Sequence, residues 1–361
     1  VRALVVGGTG PTGPGIVDGL RERGYAVTVL HSGRHEVDLP SDVLHVHADP
    51  YAAPRLSEAL AGRTFELAVA TYGRLRVVAD VLRSHTGRLV SVGGAPYDLS
   101  IQRPAREDDP MRQGHAMLRR MAETERHIFD LPGLDVTHLR YARVFGPRQP
   151  DAVEWSIVRR LLDGRRTILL VHGGLTLEHR VYVGNAAAAV LAAVDRPEAS
   201  RGRVYNVADE EPRTERDRVL AMARALGVEV DVAAVPELPN LVLPYWVPGR
   251  TRAWSTPDEP APQHQLRDTG RIRRELGFTD PVRFEEAIAH TVRWYADNRP
   301  APGGEIERQL GDSFDYAAED RVVAAWRHYV DTLAEVDIGP PAFAHAYANP
   351  RAAQDSGGRP G

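Results

Sequence analysis

Short apolar, β-branched runs alternate with amphipathic stretches through the first half of the chain. Val1–Val6, Ala26–Leu30, Val43–His47, Phe65–Thr71 and Arg88–Val92 read as strands, and Gly13–Arg23, Pro54–Ala61 and Arg74–Ser84 as helices. The alternation continues through a helix near Gln113–Phe129 and a strand at Asp135–Tyr141. Strands that are apolar along their whole length must be buried on both faces. Separated by helices, they call for a parallel sheet covered on each side. The fold class expected is therefore α/β, a doubly wound parallel sheet of Rossmann type, with a smaller C-terminal substrate-binding domain.

Beyond Gly146-Pro147 the pattern changes. Helices are expected at Ala152–Leu162, Asn185–Val194, Glu215–Leu226, Thr269–Leu276, Arg283–Asn298 and Tyr316–Val336, and strands at Thr167–Val171 and Val204–Val207. Between Pro236 and His264 prolines are dense enough to exclude regular structure, and the embedded Trp246 and Trp254 suggest a lid or an anchored connector. The division expected is 1–150 for nucleotide binding, rejoined by parts of 180–210. Residues 151–300 then form a substrate-binding portion containing 236–264, and 301–361 a helical extension with a flexible tail.

Composition narrows the chemistry. The net charge is −4 over 361 residues, with both signs interleaved, which argues against a nucleic-acid binder. No cysteine is present, so disulfides, thiolate nucleophiles and thiolate metal sites are excluded. Every basic residue in the Lys+Arg total is arginine, which excludes Schiff-base chemistry and a Walker-type lysine. The longest apolar run, near Ala186–Val194, is about half of the ~20 residues a membrane span needs. The chain opens directly into a strand, without a signal-peptide pattern. A soluble, cytoplasmic protein with a small-molecule substrate is expected, without nucleic-acid or membrane partners; a homodimer is left open. His45 and His47 share one face of a strand, as alternate residues must. With no carboxylate motif beside them they read as structural, and no metal site is expected.

The informative motif is Gly7-Gly8-Thr9-Gly10-Pro11-Thr12-Gly13, directly after the first strand and before a helix. Glycine is needed there for a tight turn, for backbone approach to a pyrophosphate at Gly10 and for close packing at Gly13, with the anion at the positive end of the helix. A dinucleotide is the implied ligand. The second strand ends in His31-Ser32-Gly33-Arg34, without the carboxylate that usually holds the ribose hydroxyls of NAD. Ser32 and Arg34 suit a 2′-phosphate, so NADP is favoured, while Glu36 and Asp38 keep NAD open.

These residues resemble the signature of the extended short-chain dehydrogenase/reductase superfamily, the NAD-dependent epimerase/dehydratase type. Further likenesses follow in order over roughly residues 1–300: Ala48-Asp49-Pro50, Leu139-Arg140-Tyr141-Ala142-Arg143-Val144-Phe145-Gly146-Pro147, Tyr205-Asn206-Val207-Ala208, and the stretch Asp268–Tyr295. The resemblance implies cofactor contacts at Gly7, Thr9, Gly10, Pro11, Thr12, Gly13, Ser32, Arg34, Asp49, Thr71 and Ser91. It also implies an NADP(H)-dependent oxidoreductase or epimerase acting on a small polar metabolite.

The family's Ser/Thr, Tyr and Lys are replaced. Alignment on Ala122-Glu123 puts Arg119 at the lysine position and His115 at the tyrosine position. Gly93 stands where the strand's hydroxyl is expected. His115 has the pKa for acid–base work near neutrality, and Arg119 lies one turn away on the same face. Tyr97, Tyr72 and Tyr141 are the other proton donors considered. A redox-silent nucleotide site, or lyase or isomerase chemistry, is the alternative. Arg143, where relatives often carry Asn, is the candidate contact for a substrate phosphate or carboxylate, with Gly93 beside it. Asn185 reads as a helix N-cap.

Overall fold

The computed structural model describes residues 1–33, 36–71, 73–95, 97, 103–111, 116–236 and 264–339. The first half runs β1 (Arg2–Val6), α1 (Gly13–Glu22), β2 (Ala26–His31), β3 (Leu44–His47), α2 (Ala53–Leu60), β4 (Leu67–Ala70), α3 (Leu75–Leu82), β5 (Arg88–Gly94), α4 (Ala116–Phe129) and β6 (Asp135–Tyr141). There follow β7 (Arg143–Phe145), α5 (Val153–Leu162), β8 (Thr167–Val171), β9 (Leu177–Glu178), β10 (Arg180–Tyr182), α6 (Val183–Asp195), α7 (Pro197–Ser200), β11 (Arg203–Val207), β12 (Arg213–Thr214), α8 (Glu215–Ala225) and β13 (Asp231–Val235). The last helices are α9 (Gly270–Leu276), α10 (Phe284–Asp297), α11 (Glu305–Leu310) and α12 (Tyr316–Ala334).

Seven strands form one parallel sheet in the order β11-β6-β5-β4-β1-β2-β3. Leu67–Ala70 is buried at every residue, and Arg2–Val6 at every residue but the first, as central strands covered on both faces must be. On one face α1 and α6 pack together, with Ile16, Val17, Leu20, Ala186 and Val190 in one core. The contact is close because Gly19 carries no side chain: a Cβ there would lie 2.2 Å from Leu191. The opposite face is covered by α2 and α3 through Leu56, Leu60, Val78 and Leu82. Because β2 and β4 flank β1 and the chain winds outward from it in both directions, the crevice at the carboxyl end of β1 is the topological switch point, where ligands bind in such sheets.

Past β6 a separate core gathers Trp155, Val158, Leu161, Val219, Met222, Ile288 and Tyr295 from α5, α8 and α10. Three strand pairs accompany it, β7 with β10, β8 with β13 and β9 with β12. None of β7, β9, β10, β12 or β13 is signalled by the sequence pattern. Arg180 is buried among Glu154, Glu178 and Glu215; against burial, which raises it, the charge of Arg180 with those of Arg143 and Arg218 holds the Glu178 carboxyl down to about 2. The described residues fall into two compact units, one through Phe314 and one from Asp315, whose described part is α12 and a short extension. Residues 237–263 and the tail from 340 lie outside the described residues, as do the expectations placed on them. Among the described residues no helix is long and apolar enough to cross a membrane.

One expectation is corrected. Asn185 is not an N-cap, because α6 begins two residues earlier, behind Tyr182. Its amide nitrogen donates to the Asp209 carboxylate and the Val282 carbonyl, both at 2.9 Å. Its oxygen accepts from the Val282 amide at 3.0 Å. It ties α6 to two distant segments.

Candidate nucleotide and catalytic site

The glycine loop sits in the switch-point crevice. Gly7 has φ +88°, in the left-handed region that suits glycine, and its amide donates to the Leu30 carbonyl of β2 at 2.9 Å. The turn then tightens, Gly10 N–H to Gly7 O at 3.0 Å and Gly13 N–H to Gly10 O at 2.9 Å. A Cβ on Gly13 would lie 2.0 Å from the Gly8 carbonyl oxygen, and one on Gly10 only 3.3 Å from that of Gly7. Gly13 therefore serves the folding of the loop onto the start of α1, a closer constraint than helix–strand packing. The N-cap of α1 is Thr12, which makes no side-chain cap. The first-turn amides are thus not capped by that hydroxyl, as an anion site at the positive end of a helix requires.

Thr71 braces the loop from β4. Its hydroxyl lies 3.2 Å from the Gly7 carbonyl and 3.3 Å from that of Val6, donating to them, while its amide donates to Val6 at 3.0 Å. Ser32 is exposed just after β2. Asp49 is exposed after β3 and accepts from the Tyr51 amide at 2.9 Å in a tight turn. The crevice thus gathers Gly7, Thr9, Gly10, Pro11, Thr12, Gly13 and Thr71, with Ser32 and Asp49 at its β2–β3 side. The residues fit a dinucleotide: a bare-backbone cradle that Cβ atoms would fill, at a helix N-terminus. Arg34, Tyr72 and His115 lie outside the described residues.

The wall beside β5 departs from expectation. Ser91, Gly93, His138, Arg140 and Asn206 share one face of β5, β6 and β11, where the register pairs Ser91 with His138, Gly93 with Arg140, and Asn206 with Arg140. Ser91 is fully buried, and its hydroxyl lies 2.9 Å from His138 Nδ1 and 3.3 Å from the Thr137 carbonyl. Its side chain faces β6 and not the cleft. The far edge of the His138 ring fills the space over Gly93, where a Cβ would lie 2.8 Å from Cε1. Glu125 of α4 lies 3.7 Å from His138 Nε2 and forms a bidentate pair with Arg140. Burial lowers the His138 pKa to about 4 against the pull of Glu125, so the ring is neutral at neutral pH.

Tyr97 belongs to the same network. Its hydroxyl donates to Asn206 Oδ1 and accepts from Arg140 at 2.7 Å. Asn206 is fully buried; its side chain donates to the Ala105 and Asp268 carbonyls and its amide to Glu107. Tyr97 is itself 1% exposed, and burial pushes its hydroxyl up to about 12. Of the three tyrosines considered as proton donors, Tyr97 is a buried member of this network, and Tyr141 is buried too, its hydroxyl donating to the Ala186 carbonyl at 2.7 Å. Arg119 is exposed on α4. Arg143, half-buried on β7, lies 3.9 Å from Asp151.

The sequence reading missed His138, Glu125 and the role of Asn206. The available signal was His138 and Arg140 alternating on a strand whose other residues suit a core. It missed a second cluster as well. His31, Glu36, His45 and His47 converge at the carboxyl ends of β2 and β3.

The sequence profile of the NAD dependent epimerase/dehydratase family matches residues 3–208, more than half of the chain. The chain belongs to this family. An uncharacterised 37.6 kDa protein of Escherichia coli O111:H- is 26% identical over 194 residues, 49% of this chain and 51% of that protein, so the match spans about half of that relative's length. The UDP-glucose 4-epimerase of Mycolicibacterium smegmatis is 26% identical over 331 residues, covering 82% of this chain and 98% of the epimerase. Among solved structures, the dTDP-glucose 4,6-dehydratase DesIV of Streptomyces venezuelae, bound to NAD and TYD, superposes with a TM-score of 0.65 at 22% identity. That superposition covers 84% of this chain and 99% of DesIV. The seven-stranded parallel sheet with its C-terminal region is thus the epimerase/dehydratase fold.

Proposed function

We propose that this epimerase/dehydratase-family protein is an NADP(H)-dependent oxidoreductase or epimerase of the extended short-chain type, acting on a small polar metabolite of the nucleotide-sugar class. The observation that carries the reading is the cradle itself, where a Cβ on Gly13 would lie 2.0 Å from the Gly8 oxygen. Such an approach folds the glycine loop tightly onto the start of α1, whose uncapped amides suit a diphosphate. The substrate class is supported by the names of relatives, a UDP-glucose epimerase and dTDP-glucose dehydratases. The preference for NADP rests on Ser32 and Arg34 standing where NAD-specific relatives place a carboxylate.

When bound, the nicotinamide supplies a hydride acceptor or donor at the substrate carbon. In this reading His115 moves the proton at the substrate oxygen, and Arg119, four residues later in the sequence, holds ribose hydroxyls and disfavours a charged imidazole. Tyr72 is an alternative donor. Arg143 pairs with the anionic part of the substrate. Tyr97 and Ser91 act as the wall that keeps β5 and α4 in place, not as acids.

A second reading is favoured by one observation. The family's hydroxyl position is Gly93, and the space over it is taken by His138. A chain with all three usual groups replaced can bind a dinucleotide without turnover, as a sensor or regulatory partner. Deuterium-labelled NADPH incubated with a nucleotide-sugar panel separates the two. Label loss from the nicotinamide, abolished in His115→Ala while NADPH affinity is kept, supports catalysis; binding with no exchange supports the sensor.

A further inference from the structure

The parallel register of β2 and β3 sets His31 opposite His47, with His45 two residues earlier on the same face. His31 is 3% exposed, whereas His45 and His47 are exposed at the sheet's edge. A Glu36 carboxylate oxygen lies within 4.8 Å of a ring nitrogen of each of the three histidines. His31 Nε2 lies 3.2 Å from His45 Nδ1. Glu36 carboxylate oxygens lie 3.4 Å from His47 Nε2 and 3.9 Å from His31 Nε2. One donor atom from each of the four residues falls within 4.8 Å of all the others.

These separations are those of a coordination shell. Zinc–nitrogen and zinc–oxygen bonds of about 2.0–2.2 Å in a tetrahedron place neighbouring donors roughly 3.3–3.5 Å apart. The His47–Glu36 edge of 3.4 Å lies in that range, the His31–His45 edge of 3.2 Å is just below it, and no donor pair exceeds 4.8 Å. Three imidazoles and one carboxylate select a borderline ion such as Zn2+ or Co2+, and disfavour Mg2+ or Ca2+, which prefer oxygen shells. The exposed His47 turns Nε2 toward Glu36 and the exposed His45 turns Nδ1 toward His31 Nε2, so the donor atoms of both solvent-facing rings point inward to one place.

We infer that His31, Glu36, His45 and His47 form a binding site for one transition-metal ion of the zinc class at the carboxyl ends of β2 and β3. The Gly33 amide donates to His31 Nδ1 at 3.3 Å, which leaves Nε2 as the protonated nitrogen facing His45. Loading puts the metal on Nε2 and moves the ring's single N–H proton to Nδ1, so the ring binds as the neutral imidazole. The Gly33 contact is then released. Gly33 adjoins Ser32, so the ion anchors the segment at the β2 end of the crevice. The inference stands independently of the reaction proposed above.

The test is a Co2+ titration of tag-free, metal-stripped full-length protein, followed by visible absorption and then Zn2+ displacement. The result expected is the intense d–d absorption of tetrahedral Co2+, saturating at one equivalent and erased by Zn2+. His45→Gln combined with His47→Gln is expected to weaken binding by at least about tenfold, a loss seen even when only a supporting residue is removed. Both side chains are exposed, so the apo variant's thermal melt is expected to match the apo wild type. Absence of a saturable spectrum, or a spectrum unchanged in the double variant, would overturn the assignment. If the double variant misfolds, Glu36→Gln replaces it under the same two criteria.

Discussion

The imidazole of His138 occupies the space that a side chain on Gly93 would need, its Cε1 only 2.8 Å from where the Cβ would stand. The glycine and the histidine are complementary across β5 and β6. The ring is hydrogen-bonded to Ser91 at 2.9 Å on one side and lies 3.7 Å from Glu125 on the other. Buried and bonded at Nδ1, it cannot swing away freely.

Gly93→Ala is therefore expected to destabilise the protein by about 1–3 kcal/mol, the usual cost of overpacking a tight interior. Urea denaturation measures it. Combined with His138→Ala, the penalty is expected to fall short of the sum of the single changes, giving a coupling of about 1 kcal/mol or more.

The same ring makes stability pH-dependent. Its folded pKa of about 4 lies below the 6.5 of an unfolded histidine, so the unfolded chain binds more protons between those values. Stability contributed by the neutral ring is present above pH 6.5 and is lost as pH falls toward 4. Over pH 7 to 4 the wild type is expected to lose ~3 kcal/mol more than His138→Gln. Equal slopes in the two proteins would contradict the burial argument.

Asn185 makes a prediction about architecture. It is 1% exposed and makes three hydrogen bonds to Asp209 and Val282. Asn185→Ala leaves the Val282 amide and carbonyl without those partners and is expected to cost about 1–3 kcal/mol in chemical denaturation.

Cofactor choice is tested at Arg34. Arg34→Asp supplies the carboxylate that grips ribose hydroxyls and repels a 2′-phosphate. The ratio of NADPH to NADH affinity is expected to fall by at least about tenfold, or ~1.4 kcal/mol. An unchanged ratio would assign the preference elsewhere.

The main sheet was legible because strands buried on both faces, such as Leu67–Ala70, are apolar throughout and cannot be mistaken for a one-sided surface. The cradle was legible because close backbone approach leaves only glycine at Gly13. Two-residue pairs such as β9 with β12 carry no local pattern, since a partner about 36 residues away decides them. Asn185 misled because a polar residue near the start of an apolar helix has the same local appearance whether it caps the helix or bonds to Val282. His138 reads as an ordinary core histidine until the register puts it beside Ser91 and over Gly93. The His31–Glu36–His45–His47 cluster depends on that same kind of cross-strand register, which spacing along the chain does not encode.

The most direct test of a diphosphate held by bare main chain is calorimetric titration of NADPH into wild type and Gly13→Ala. One NADPH per wild-type chain is expected, with binding lost in the variant because its Cβ collides with Gly8. No heat with either NADPH or NADH in the wild type, or equal affinity in the variant, would contradict it.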